Sequence, residues 1–170
     1  MINYGKQSIN QDDIDAVIEV LESDFLTQGP KVEEFENDLR SYCGSKHARV
    51  VTNATSALHL AYVAIGLNKD DIVWTSPNTF VSTANAALYC GAKVEFVDID
   101  PNTYNISIEA LKAKLKIAEA VGQLTKLIVP VHFAGQSCEM KEIWNLSKVY
   151  GFKVIEDASH ALGAEYKEKK

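Results

Sequence analysis

The sequence predicts an α/β fold, a mainly parallel sheet flanked by helices. Two observations carry this. Short apolar, β-branched runs recur along the chain, and each is separated from the next by one helical pattern, the spacing of βαβ units. The runs are also nearly continuous in apolar residues, as strands covered on both faces should be. A third observation bears on function: small, hydroxyl-bearing and acidic residues gather just after these runs, where open parallel sheets bind ligands.

The elements follow in order. Asn10 with Asp13 three residues on has capping-box spacing, and Ile14, Val17, Ile18 and Leu21 then mark one helical face. The stretch from Ser23 to Pro30 breaks that pattern and reads as a loop. Val32, Phe35, Leu39 and Tyr42 give a second helix, stopped by Gly44. Strands are expected at Arg49–Thr52, Ile72–Thr75, Lys93–Val97, Leu127–Val131 and Phe152–Glu156. Helices are expected near Ser56–Ile65, Phe80–Cys90, Ile108–Ala120 and Met140–Tyr150. No repeat or low-complexity segment interrupts the alternation. The sequence divides into a helix and loop over residues 1–30 and part of a larger domain over 31–170. The abrupt end after Gly163, with no helix to cover the last strand, suggests the front part of a longer protein.

Composition narrows the function classes. The 170 residues suffice for a sizeable core, and 46% hydrophobic content is ordinary for a globular protein. A net charge of −6 argues against nucleic acid as a partner, since phosphate backbones call for a basic face. The apolar runs are too short and mixed to span a bilayer, and no leader opens the chain, so no membrane is expected. Cys43, Cys90 and Cys138 are odd in number and far apart, which suits reduced thiols in the cytoplasm. The four histidines are scattered, with no metal-site spacing. No Gly-x-Gly-x-x-Gly follows the first strand, which disfavours a dinucleotide fold.

The chemistry gathers at the strand ends. Ala54, Thr55 and Ser56 open a helix, where free amides, the dipole and two hydroxyls suit an anion; a plain helix cap explains the same residues. Asp157 ends an apolar strand, and a carboxylate there needs a partner, either a structural donor or a protonated ring nitrogen. Phe80 sits where a strand gives way to a helix, placed to stack on a flat ring or to fill the core. His160 is within reach of a ring hydroxyl or is a satisfied structural residue. His132 is an ambiguous cleft residue. An anion site facing a carboxylate suits pyridoxal 5′-phosphate (PLP), which carries a phosphate at one end and a basic ring nitrogen at the other.

In order and spacing, these segments resemble the DegT-type sugar-nucleotide aminotransferases, within the fold-type I PLP enzymes. The resemblance rests on Phe25–Pro30, Asn53–Leu60, Pro77–Phe80, Phe96–Asp100, Pro130–Gln136 and Glu156–Gly163. It implies phosphate binding by Thr55 and Ser56, ring stacking by Phe80, a pyridine-nitrogen partner in Asp157 and a ring-hydroxyl neighbour in His160. It places Tyr4, Thr27, Gln28 and Gly29 against a nucleotide-sugar. The implied reaction moves an amino group from glutamate to the C4 ketone of a UDP-linked 4-keto-6-deoxy sugar, on the way to pseudaminic acid, in a cytoplasmic homodimer. The family's Schiff-base lysine lies downstream of the Asp strand, and Lys167, Lys169 and Lys170 do not occupy its segment. The 170 residues alone are therefore expected to be inactive. Two alternatives stay open: a truncated binding or dimerisation module, and a related PLP sugar dehydratase with histidine in place of that lysine.

Overall fold

The structure is a computed structural model that describes residues 7–170. These fall into two compact units, one running to Val50 and the other from Val51 to Lys170.

The first unit is built on helices α1 (Gln11–Glu22) and α2 (Pro30–Cys43). The expected capping box is present: the Asp13 amide donates to the Asn10 side chain, and the Asn10 amide donates to Asp13 Oδ2 at 2.8 Å. Pro30 starts α2, where its missing N–H costs nothing, and Gly44 ends it at φ +62°. The strand expected at Arg49–Thr52 does not form. A β-branched run becomes a strand only where a neighbour offers a ladder. Here Glu36 takes the backbone instead, its Oε1 accepting from the Val50 amide at 2.9 Å and its Oε2 from Arg49 Nη1 at 2.7 Å.

The second unit holds a four-stranded parallel sheet. Its strands are β1 (Ile72–Thr75), β2 (Lys93–Phe96), β3 (Leu127–Val129) and β4 (Lys153–Val154), in the order β2-β1-β3-β4. Helices α3 (Ala54–Ala64) and α4 (Ser82–Tyr89) cover one face, and α5 (Ile108–Ala120) and α6 (Met140–Tyr150) the other. The period of two in β1 and β3 divides the core between them. Val73, Leu127 and Val129 pack with Leu58, Tyr62, Ala86 and Ala87; Trp74 and Ile128 pack with Leu111, Leu115, Ile143 and Phe152. Side chains such as Leu111, Leu115 and Ile143 are fully buried, each contributing about 1.5–3 kcal/mol. Among the described residues no helix is long and apolar enough to cross a membrane.

β3 and β4 are shorter than their apolar runs. Pro130 has no N–H and interrupts the ladder. Pairing resumes beyond it, with the Asp157 amide donating to the Pro130 carbonyl at 2.9 Å and the His132 amide donating to the Asp157 carbonyl at 3.1 Å. This resumed pairing sets Asp157 opposite Val131 at the carboxyl end of the sheet.

Candidate active site

A cavity of about 500 Å³ lies within the second unit, over the carboxyl ends of the strands. The start of α3, the turn before α4, the loop after β3 and the segment after β4 all contribute to its walls. Ala54, Thr55, Phe80, Asp157 and His160 line it together.

At the start of α3, the Asn53 side chain caps the helix by accepting from the Ser56 amide at 2.9 Å. Ser56 Oγ lies 3.4 Å from Thr52 Oγ1, and Ser56 does not line the cavity. The amides of Ala54 and Thr55 have no hydrogen-bond acceptor among the described residues, as the first turn of a helix dictates. The open amides at this end are therefore those of Ala54 and Thr55, while the Ser56 amide is taken by Asn53.

Asp157 is only 7% exposed. Its Oδ2 accepts from Thr83 Oγ1 at 2.7 Å, and its Oδ1 accepts from the hydroxyl of Ser159 at 2.6 Å and from the Ser159 amide at 3.3 Å. A carboxylate at the end of an apolar strand thus finds two hydroxyls and an amide. Thr83 is fully buried on α4, and its Oγ1 lies 2.7 Å from Thr79 Oγ1, one turn earlier. The Tyr62 hydroxyl donates to the Thr83 carbonyl at 3.0 Å; burial first, and then the charge of Asp157, push that phenol well above its usual range.

Phe80 is 73% exposed while lining the cavity, which excludes the core-packing role its sequence position also allowed. His160 is exposed and lines the same cavity. His132 is resolved as a fixed structural ring. Its Nδ1 accepts from the Cys138 amide at 3.1 Å, so the proton sits on Nε2, which lies 2.9 Å from Glu156 Oε2. Asn105 holds the adjoining loop with its whole amide: Oδ1 accepts from the Phe133 amide, and Nδ2 donates to the carbonyls of Gln136 and Ser137.

Sequence reasoning missed Thr83, Ser159 and Asn105. Thr79 and Thr83 carried a signal: two threonines four residues apart where a loop enters an apolar helix can bring two hydroxyls together. Tyr4 lies outside the described residues. Thr27, Gln28 and Gly29 belong to the first unit, where Gln28 and Gly29 line a cavity of about 760 Å³ beside α2. Gln28 has φ +53°, and Gly29 has no room for a Cβ, which would meet Phe25 Cβ at 2.9 Å.

Relatives and solved structures agree on one kinship. The chain is 53% identical to a UDP-4-amino-4,6-dideoxy-N-acetyl-β-L-altrosamine transaminase of Campylobacter jejuni, over the whole of this chain and 44% of that protein. Among solved structures, Helicobacter pylori PseC, an aminotransferase of pseudaminic acid biosynthesis, superposes with a TM-score of 0.88 at 37% identity, over 99% of this chain and 44% of that one. NtdA of Bacillus subtilis, solved with bound pyridoxamine phosphate (PMP), superposes with a TM-score of 0.82 at 33% identity, over 92% of this chain and 36% of that one. The chain thus spans less than half the length of the curated relatives it matches.

The donor set suits a PLP-type cofactor. Open helix amides and a hydroxyl meet an anion, a buried carboxylate meets a protonated ring nitrogen, and an exposed aromatic offers a flat ring a face. Among the described residues, no lysine lines this cavity. The aminotransferase family described as DegT/DnrJ/EryC1/StrS matches residues 7–170, and the chain belongs to that family.

Proposed function

We propose that the intact protein is a PLP-dependent aminotransferase. It moves an amino group from glutamate to the C4 ketone of a UDP-linked 4-keto-6-deoxy sugar, working as a homodimer in the cytoplasm. The observation that carries this reading is Asp157, a buried carboxylate at a strand end, in one cavity with the open amides of α3 and the exposed ring of Phe80. The activities of the relatives support the sugar class.

Bound at this cavity, PLP would supply an electron sink and a carrier for the amino group. The residues of this chain position and polarise it. Asp157 keeps a proton on the ring nitrogen, because its negative charge in a buried setting favours the cationic ring. The amides of Ala54 and Thr55, with the Thr55 hydroxyl and the α3 dipole, hold the phosphate. Phe80 covers one ring face, and His160 hydrogen-bonds the ring hydroxyl. Tyr4 and Thr27–Gly29 bind the nucleotide-sugar. The lysine that anchors the cofactor comes from outside these 170 residues.

The test is direct. The full-length protein, given PLP, glutamate and a UDP-4-keto-6-deoxy sugar, should form 2-oxoglutarate and the 4-amino sugar in equal amounts. Turnover of the keto sugar with 2-oxoglutarate and ammonia released, and no 4-amino sugar formed, would instead favour a dehydratase.

A further inference from the structure

Proton bookkeeping gives the hydroxyl pair beside Asp157 a direction. A carboxylate only accepts, so Thr83 must spend its single hydroxyl proton on Asp157 Oδ2, 2.7 Å away. The contact between Thr79 Oγ1 and Thr83 Oγ1, also 2.7 Å, then has one possible sense, with Thr79 donating to Thr83. The chain runs one way, from a threonine lining the cavity, through a fully buried one, to the carboxylate. Donors aligned in this way polarise one another and strengthen the last bond.

The acceptor positions on Asp157 are unequally filled. A carboxylate has roughly four lone-pair sites, two on each oxygen. Oδ1 meets two donors, the hydroxyl and the amide of Ser159, and Oδ2 meets one, Thr83. One acceptor position remains, on Oδ2.

We propose that Thr83, backed by Thr79, is a positioning residue that directs the single open lone pair of Asp157 Oδ2 to the ring nitrogen of the cofactor. This rests on the PLP reading of the same cavity. Neither threonine touches the reacting atoms. Thr83 acts through Asp157, by holding the carboxylate's plane. The polypeptide builds the device from two hydroxyls four residues apart, Thr79 in the turn before α4 and Thr83 on α4, which reach Asp157 in the segment after β4.

The test uses the full-length protein with PLP and the variants Thr83→Val, Thr83→Ser and Thr79→Val. Thr83→Val keeps shape and removes the donor. Loss of a hydrogen bond to a charged group should lower kcat about ten-fold with little change in KM. A carboxylate no longer held in plane turns its open lone pair off the ring nitrogen, so the absorbance spectrum of the bound cofactor should shift as well. Thr83→Ser should restore both. Thr79→Val should change both in the same direction by a smaller amount. The proposal is overturned if Thr83→Val matches wild type in kcat and in the spectrum. It is equally overturned if kcat falls with an unchanged spectrum and no rescue by serine. If Thr83→Val does not fold, Thr79→Val decides: wild-type kcat and a wild-type spectrum overturn the proposal. If wild-type protein itself fails to bind PLP, the failure lies in the PLP reading and not in the role of Thr83.

Discussion

Gly135→Ala measures how tightly the loop after β3 is pressed on the segment that carries Asp157 and His160. Gly135 has φ +88°, and a Cβ there would sit 3.0 Å from the His160 carbonyl oxygen. Two costs add. An L-residue at positive φ costs about 1 kcal/mol. Pushing a backbone oxygen back by a few tenths of an ångström in a packed setting costs about another 1–2 kcal/mol. Gly66→Ala is the control, because Gly66 has φ +74° with nothing within 4 Å of the added carbon. It should cost only the backbone part, about 1 kcal/mol. The assay is urea unfolding of the full-length variants, with PLP retention after dialysis measured in parallel. Gly135→Ala should lower the midpoint about two to three times as far as Gly66→Ala and should also weaken PLP retention. Equal midpoints, with equal PLP retention, would show that the loop does not bear on the Asp157 segment, and the reasoning would fail.

The remaining predictions bear on individual residues. Thr55→Val in the full-length protein should weaken PLP retention more than Ser56→Ala, since Thr55 lines the cavity while the Ser56 amide is already held by Asn53; equal losses in an equilibrium dialysis assay would count against this phosphate site. Phe80→Ala should raise the PLP dissociation constant about ten-fold, the value of one stacked ring, and leave the melting temperature nearly unchanged because Phe80 is 73% exposed; a collapsed melting transition would mean that Phe80 is core. Cys138, buried at the loop after β3, has its thiol pushed up to about 12 by burial. Native protein at pH 8 should therefore resist alkylation there and label fully in urea. Because the folded value is raised, the matching contribution to stability is whole below the ordinary thiol value of 9.0 and is lost as pH rises from there toward about 12. Labelling of native Cys138 at pH 8 would contradict the burial.

Much of the architecture is legible in the sequence where one local rule decides the outcome. The limits of α5 and α6 match their apolar periodicity, and Asn10 caps α1 through the spacing that marks a capping box. Arg49–Thr52 was not legible as a loop, because a lone β-branched run looks the same whether or not a neighbouring strand exists; Glu36, distant in sequence, takes its backbone. The site divides in the same way. Asp157, Thr55 and Phe80 announce themselves by standing where apolar runs end. Thr83 and Ser159 do not, since their meaning lies in which carboxylate they reach, and Thr83 is 74 positions from Asp157. Ser56 looked equivalent to Thr55 in sequence, and only the Asn53 cap separates them. His132 was an ambiguous cleft residue in sequence; it does line the cavity, with its two ring nitrogens taken by Cys138 and Glu156.

The central claim is that Asp157 holds the ring nitrogen of PLP in the cavity at the strand ends. The most direct measurement compares full-length wild type with Asp157→Asn for PLP retained after dialysis and for 2-oxoglutarate released from glutamate in a single turnover. Asparagine keeps the shape but cannot neutralise a cationic ring, and its amide must turn a donor toward either Thr83 or Ser159. The account predicts that the variant still binds PLP through α3 and Phe80 but releases 2-oxoglutarate at least about a hundred-fold more slowly, the combined loss of a charged hydrogen bond and of the buried countercharge. Release at the wild-type rate would contradict it.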